Sequence, residues 1–93
     1  KEPSEADITP SGHYIYVTNM GSGDVSVIST RTSTVVGTIP VGTHPHDIVI
    51  SGDGRYAFVA NTGSDDISVI NLLSQATVGR VPVGKRPLGM ALW

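Results

Sequence analysis

Apolar and polar residues alternate along the chain in short runs, with no apolar stripe at helical spacing. The runs are rich in Val, Ile, Tyr and Phe, and clusters of Gly, Asn, Asp, Ser and Pro separate them, which is the punctuation of β-structure. The pattern predicts strands over residues 5–9, 13–19, 24–29 and 34–41, and again over 47–51, 55–61, 66–71 and 76–83. The second set lies at an offset of 42 from the first because the sequence repeats: residues 3–42 align with 45–84 without a gap, and "YVTNMGSGDVSVI" returns as "FVANTGSDDISVI". A third copy opens at Pro87, where "PLGMALW" matches "PHDIVIS". The expected layout is two full units, 3–44 and 45–86, and then the first strand of a third, 87–93.

Within a unit, Gly12 and Gly54 fall where a tight hairpin needs a positive φ. Pro40 and Pro82 lie in the fourth strand, and a residue without an N–H is tolerated mainly at a sheet edge, so that strand is outermost. The second strand is apolar on both sides, with Tyr14 and Tyr16 pointing one way and Ile15 and Val17 the other. A four-stranded antiparallel sheet apolar on both faces, repeated at this period, is the blade of a β-propeller, with a solenoid of stacked sheets as the alternative. The expected fold is therefore all-β: two blades plus the inner strand of another. Tyr14, Tyr16, Tyr56 and Phe58 alternate at strand spacing and are expected to pack between blades.

The stretches "YVTN", "GSGDVSVI", "VVGTIPVG" and "HPHDIVIS" resemble the YVTN family of β-propeller repeats, related to the haem d1 propeller of cytochrome cd1, over essentially the whole chain. The resemblance implies a periplasmic, extracellular or cell-surface setting. The chain departs from the family pattern at Ser11, where Asp is usual, at Gly52, where Pro is usual, and at Ser29 and Asn71, where the third strand usually ends in Asp. Asn71 is expected to hydrogen-bond within its turn, and Ser29 more weakly. Leu72 and Leu73 stand where the first copy has Thr30 and Arg31, which marks them for a contact.

Six Lys and Arg against eight Asp and Glu give a mildly acidic chain without the basic footprint of a nucleic-acid binder. No apolar run is long enough to span a bilayer. The absence of cysteine excludes disulfides and thiolate chemistry. Packing sets the harder constraint: a pair of two-sided blades leaves two flat apolar faces in water, and such stacks generally need about three repeats or more. The partners expected first are therefore other blades, from a longer polypeptide or from further copies. The sequence favours the longer polypeptide, because both ends fall at a first strand and head-to-tail copies would bring two inner strands to one slot.

In a propeller, the connections between blades and the loops joining second to third strands gather at the channel mouth. That places "GTHPHD" (42–47), "GKRPLG" (84–89), "NMGSGD" (19–24) and "NTGSDD" (61–66) together, with His13 at the opposite end. The candidate ligand-binding residues are His44, His46, Asn19, Asn61 and Arg86. Paired imidazoles can hold a metal or haem iron, move a proton or bind an anion, yet His44 and His46 show no third ligand, so no metal site is assigned. Asp24, Asp65 and Asp66 supply too few oxygens for calcium, and Asp24, Asp66 and the two asparagines are expected to accept backbone hydrogen bonds in their loops. "GRVPVGKR" lacks the Ser or Thr of a P-loop, and no G-x-S-x-G is present. No catalytic residues are assigned, and catalysis by this chain alone is not expected. The expected function is a structural and binding segment that presents channel-mouth loops to a small-molecule ligand or protein partner, without a cofactor. One alternative, implied by the resemblance, is a periplasmic redox propeller in which His44 or His46 meets a haem d1-like cofactor; another is a cell-surface or surface-layer adhesion module.

Overall fold

The computed structural model describes residues 3–83, with side chains from Glu5 onward. The candidate Arg86 and the third-unit strand 87–93 lie outside the described residues.

Eight strands succeed one another: β1 Pro3–Ile8, β2 Tyr14–Asn19, β3 Asp24–Ser29, β4 Thr34–Pro40, β5 Pro45–Ile50, β6 Tyr56–Asn61, β7 Asp66–Asn71 and β8 Ala76–Pro82. They form two antiparallel sheets in the orders β1-β2-β3-β4 and β5-β6-β7-β8, so each strand that ends in Pro40 or Pro82 is at an edge, as the missing N–H requires. The two sheets are successive blades of a β-propeller.

Turn chemistry sets the register. In the first hairpin the Gly12 amide donates to the Thr9 carbonyl (2.8 Å) with Gly12 at φ 78°, and Gly54 repeats this against Ser51 (2.9 Å) with φ 74°. The departure at Ser11 keeps the hydrogen-bond pattern of the turn. Asp53 accepts from the Ser51 hydroxyl (2.6 Å) and the Arg55 amide (3.0 Å), and Ser11 takes the same place between the Thr9 hydroxyl (3.1 Å) and the His13 amide (3.3 Å). In the β7–β8 turn the Asn71 side chain accepts from the Leu73 and Ser74 amides at 2.9 and 3.2 Å, the local bonding expected of it. From the β3–β4 turn the Thr30 hydroxyl instead reaches the β1–β2 turn, donating to the Gly12 carbonyl at 2.8 Å.

Two irregularities recur in the blades. Between β3 and β4, Val27 pairs with Gly37 and Ile28 with Val35, so Val36 is an extra residue; between β7 and β8, Val78 is its counterpart. On the inner strand, Pro45 pairs with Asn61 and Asp47 with Ala60, which makes His46 the bulged residue, and the register of β1 shifts likewise between Pro3 and Ala6. The free edge of the inner strands is also capped. Asp47 accepts from the Ile48 amide and Asp7 from the Ile8 amide, each at 2.9 Å, while the other Asp7 oxygen crosses to the Ile50 amide of the next blade, also at 2.9 Å. These carboxylates occupy edge amides that would otherwise recruit a further strand.

The core lies between the blades. Tyr16, Val25, Val27, Ile39 and Val41 from one sheet meet Ile48, Ile50, Ala57, Val59 and Ile70 from the other, with Leu72 packed at the margin. The outer faces are only partly shielded: Ile8 and Val81 are each 50% exposed. Of the aromatics expected between blades, Tyr16 is buried, Phe58 is half-buried, and Tyr14 and Tyr56 are exposed near the strand ends. Leu72 makes the contact anticipated for the leucine pair, whereas Leu73 is 96% exposed at the turn tip.

Ile70→Ala is expected to cost about 2–5 kcal/mol, because it opens a cavity in this core. Val78→Ala, at a position 58% exposed, is expected to stay within about 0.5 kcal/mol. Urea unfolding midpoints of the two variants check the contrast.

Candidate functional site

Each blade carries one polar network at the end of its second and third strands, built from the repeated "N-x-G-S-x-D-x-S". The Asn61 side-chain amide donates to Asp66 (2.8 Å) and to the Ser68 hydroxyl (2.9 Å), and the Ser64 hydroxyl donates to the same Asp66 oxygen (2.9 Å). Asn19, Asp24, Ser26 and Ser22 reproduce it at 2.8, 2.8 and 2.9 Å. These carboxylates thus take side-chain donors rather than the backbone donors expected from sequence, and the asparagines act as donors. Strand alternation explains this, since Asn61 and Ser68 point to the same face, with Asp66 directly across from Asn61.

The network of the second blade is the platform on which the inter-blade connection rests. Thr43 donates its amide to the Ser64 hydroxyl (3.1 Å), the Gly63 amide donates to the Thr43 carbonyl (2.9 Å), and the Thr62 amide donates to the His44 carbonyl (3.1 Å). On the other side, the Val41 amide donates to the Gly23 carbonyl at 3.0 Å. Arg80 closes the arrangement, one guanidinium nitrogen donating to the Val41 carbonyl (2.9 Å) and another 3.6 Å from Asp66. Gly42 is required where it stands: a Cβ there would lie 2.6 Å from the Asn61 side chain and the Ser64 hydroxyl.

The two loops between second and third strands and the inter-blade connection therefore converge, as the blade plan placed them. Met20, Gly23, Gly42, His44 and Arg80 are among the residues lining a shallow cavity of about 330 Å³. His44 is exposed there in a left-handed conformation, φ 50°. His46 is half-buried in the β5 bulge, and its Nδ1 has no hydrogen-bond partner among the described residues. The Asn61 Oδ1 is likewise buried without a partner among them. Asn19 and Asn61 serve as struts of the loop end, buried within their networks rather than displayed on its surface. His13 lies at the far end, beside Tyr14, Arg31 and Gln75. Among the described residues, no three His, Asp or Glu side chains are grouped to hold a metal ion, and no helix is long and apolar enough to cross a membrane.

Sequence reasoning passed over one residue here. Arg80 carries the connection to Asp66 yet stands where the first copy has Thr38, and that exchange was the available signal. Tyr16, expected between the blades, stands at the opposite end, where a larger groove of about 940 Å³ opens between them, with Tyr14, Tyr16, Leu72, Asp53 and Gln75 among its lining residues. Burial, with a smaller contribution from Tyr14, raises the Tyr16 phenol above its ordinary value. At the rim the Ser51 hydroxyl and then the Arg55 amide hold the Asp53 carboxyl below its ordinary range. The groove is the larger of the two and its open surface is mostly apolar, with Asp53, Arg55, Asn71 and Gln75 among the polar residues lining it.

Two stacked blades with this loop arrangement define the chain as part of a propeller. Residues 1–81 match the family of lactonases with a seven-bladed β-propeller, and the chain belongs to that family. The PE-PGRS family protein PE_PGRS18 of Mycobacterium tuberculosis is 44% identical over 50 residues, covering 54% of this chain and 11% of that protein. Among solved structures, Kuenenia stuttgartiensis hydrazine synthase is similar at 26% identity and TM-score 0.89, covering 91% of this chain and 24% of that one. The dihydro-haem d1 dehydrogenase NirN in complex with DHE is similar at 19% identity and TM-score 0.80, over 91% of this chain and 19% of that one. A putative 6-phosphogluconolactonase from Bacteroides fragilis shares 22% identity at TM-score 0.79, over 90% of this chain and 26% of that one. The last two show a shared fold. The chain spans between about a tenth and a quarter of the length of these relatives.

Gly42→Ala is expected to destabilise the chain by about 1–3 kcal/mol through the clash with Asn61, whereas Gly52→Ala, with open space around its Cβ, should be close to neutral. Thermal unfolding of the two variants distinguishes them. Asp53 makes a pH prediction. Its carboxyl is held below the ordinary value, so its contribution is complete above the ordinary carboxylate range and fades as pH falls through the lowered value. Asp53→Ser, which copies the first turn, should flatten the acid limb of a stability-versus-pH curve, because it removes the contribution that the carboxylate makes at neutral pH.

Proposed function

We propose that the chain is a structural and binding segment of a β-propeller that presents its inter-blade connection and second-to-third-strand loops to a small ligand or protein partner. The observation that carries this reading is the bonding of residues 41–44 to both neighbouring loops, which fixes His44 and Arg80 around one cavity instead of leaving them on independent loops. A rigid loop end with an imidazole, a guanidinium and close-approaching glycine backbone suits an anionic or hydroxyl-rich ligand. The resemblance to YVTN repeats supports a periplasmic, extracellular or cell-surface setting.

A second reading, a cofactor-bearing propeller with a haem d1-like group, is favoured by the partnerless buried Nδ1 of His46. His46 is the residue of the pair held by the sheet; His44 lies on the exposed connection. The similarity to a haem d1 dehydrogenase adds only the fold to this reading. Lactone hydrolysis, suggested by the family name, would need an acid and a base supplied by blades beyond these two. Adhesion at a cell surface draws on no specific contact seen in the two blades.

Titration with gluconolactone and with inorganic phosphate, monitored by backbone amide shifts, tests the first reading. Shifts confined to residues 20–24, 41–46, 62–66 and 80, and lost in Arg80→Ala, are the expected result. Shifts centred instead on Tyr14, Leu72 and Gln75 would move the site to the opposite groove. Haem absorption in the purified protein that His46→Ala removes would establish the second reading in place of the first.

A further inference from the structure

The groove at the turn end has both of its walls inside the chain. Tyr14 and Tyr16 line it from the first blade and Leu72 and Gln75 from the second, so it belongs to the contact that the two sheets make with each other and not to an outer face. Tyr14 and Gln75 also line a neighbouring cavity of about 370 Å³, with His13, Arg31 and Val36 around it, and the two depressions form one elongated surface. Leu73, 96% exposed, stands at its lip.

The repeat serves as an internal control for this surface. The Asn–Asp–Ser network recurs in both blades, whereas here the second blade departs from the first: Leu72 replaces Thr30, Leu73 replaces Arg31 and Gln75 replaces Ser33. Thr30 spends its hydroxyl on the Gly12 carbonyl, a bond that Leu72 cannot make. On the facing wall Tyr16 carries a hydroxyl where its copy Phe58 has none. Tyr16 is 2% exposed, and among the described residues that hydroxyl has no hydrogen-bond partner. A buried tyrosine normally finds one, and an acceptor lying in the groove can supply it.

Charge selects the occupant. Arg31, Arg55 and His13 lie in the turns at this end against Asp53, which Arg55 approaches to 3.9 Å, and Arg31 has no ion pair among the described residues. The loop end carries Asp24, Asp65 and Asp66 against Arg80, so the basic surface is confined to the turn end. A rim of this sign steers and orients an acidic partner. We infer that the groove binds an extended acidic peptide segment of a partner protein, with one large apolar side chain between Tyr14 and Leu72, a peptide carbonyl accepting from the Tyr16 hydroxyl, and a carboxylate beside Arg31. A saccharide would leave hydroxyls without partners against the apolar walls, and a compact apolar molecule would leave the basic rim unused. This site is separate from the loop end and does not rest on the reading given to it.

The test is selection of a phage-displayed library of random seven-residue peptides against the 93-residue chain, followed by titration of the enriched peptide. Enriched sequences should combine Leu, Phe or Trp with Asp or Glu, and the peptide should shift the amides of Tyr14, Tyr16, Arg31, Leu72 and Gln75 while leaving residues 41–44 in place. Tyr16→Phe, which copies the second blade, and Arg31→Glu, at an exposed position, should each weaken binding by about three- to tenfold with the thermal midpoint unchanged. A peptide with Lys in place of its acidic residues should bind Arg31→Glu better than it binds the wild type. No enrichment, enriched peptides without acidic residues, or binding indifferent to both substitutions would overturn the inference, as would the same amide shifts produced by maltoheptaose or phosphatidylglycerol vesicles and by no peptide. None of these outcomes bears on the loop-end reading, which is decided by shifts at residues 41–46 with other probes.

Discussion

A β-sheet with apolar side chains on both faces is stable only when both are covered, and the rest of this structure answers to that requirement. Each blade covers one face of its neighbour, and the completed contact excludes water from Val25, Val27, Ala57, Val59 and Ile70. Hydrogen bonding within a sheet cannot supply this, because ladders satisfy backbone groups without removing apolar area from water. The packing contact therefore decides how the blades stand, and with them where the strand ends lie.

At one end the result is a loop surface whose shape is fixed from below. The Asn–Asp–Ser network of the second blade presses against residue 42, and the contact is close enough that only glycine fits. With that point fixed, the backbone bonds of residues 41–44 to both adjacent loops leave the connection little freedom, and His44 is held at a positive φ that a non-glycine residue adopts only under constraint. Packing of the sheets, burial of the network and placement of the loop are successive consequences of one repeat sequence. At the opposite end the larger groove opens between the blades.

Strands, turns and their order were legible because each rests on local signals. Alternation marks the faces, Gly12 and Gly54 supply turns that need positive φ, and Pro40 and Pro82 identify the edges. The bulges were not legible, since Val36, Val78 and His46 are ordinary strand residues whose extra place appears only when the partner strand is counted. Partner identity at Asp24 and Asp66 was missed for a related reason: sequence shows that these carboxylates need donors, while register decides that side chains provide them. The convergence of the loops could be anticipated from the blade plan, but the part played by Arg80 depends on a contact with the Val41 carbonyl across the blade boundary. The third-unit strand and Arg86 fall beyond the described residues.

An internal repeat also separates what a blade needs from what this chain adds. Residues that recur at the same offset, such as Asn19 and Asn61, Ser26 and Ser68, or Gly12 and Gly54, belong to the blade, and their structural environments recur with them. Positions that differ divide by mechanism. Ser11 for Asp53 changes the residue and keeps the hydrogen-bond geometry, so it carries no separate meaning. Asp7 for Val49, Thr38 for Arg80 and Val35 for Thr77 change the bonding itself, and the bonds that Asp7, Arg80 and Thr77 make all lie where the first blade meets the second. Exchange between the two copies has thus placed bonds that the blade itself does not require at the contact between these two sheets.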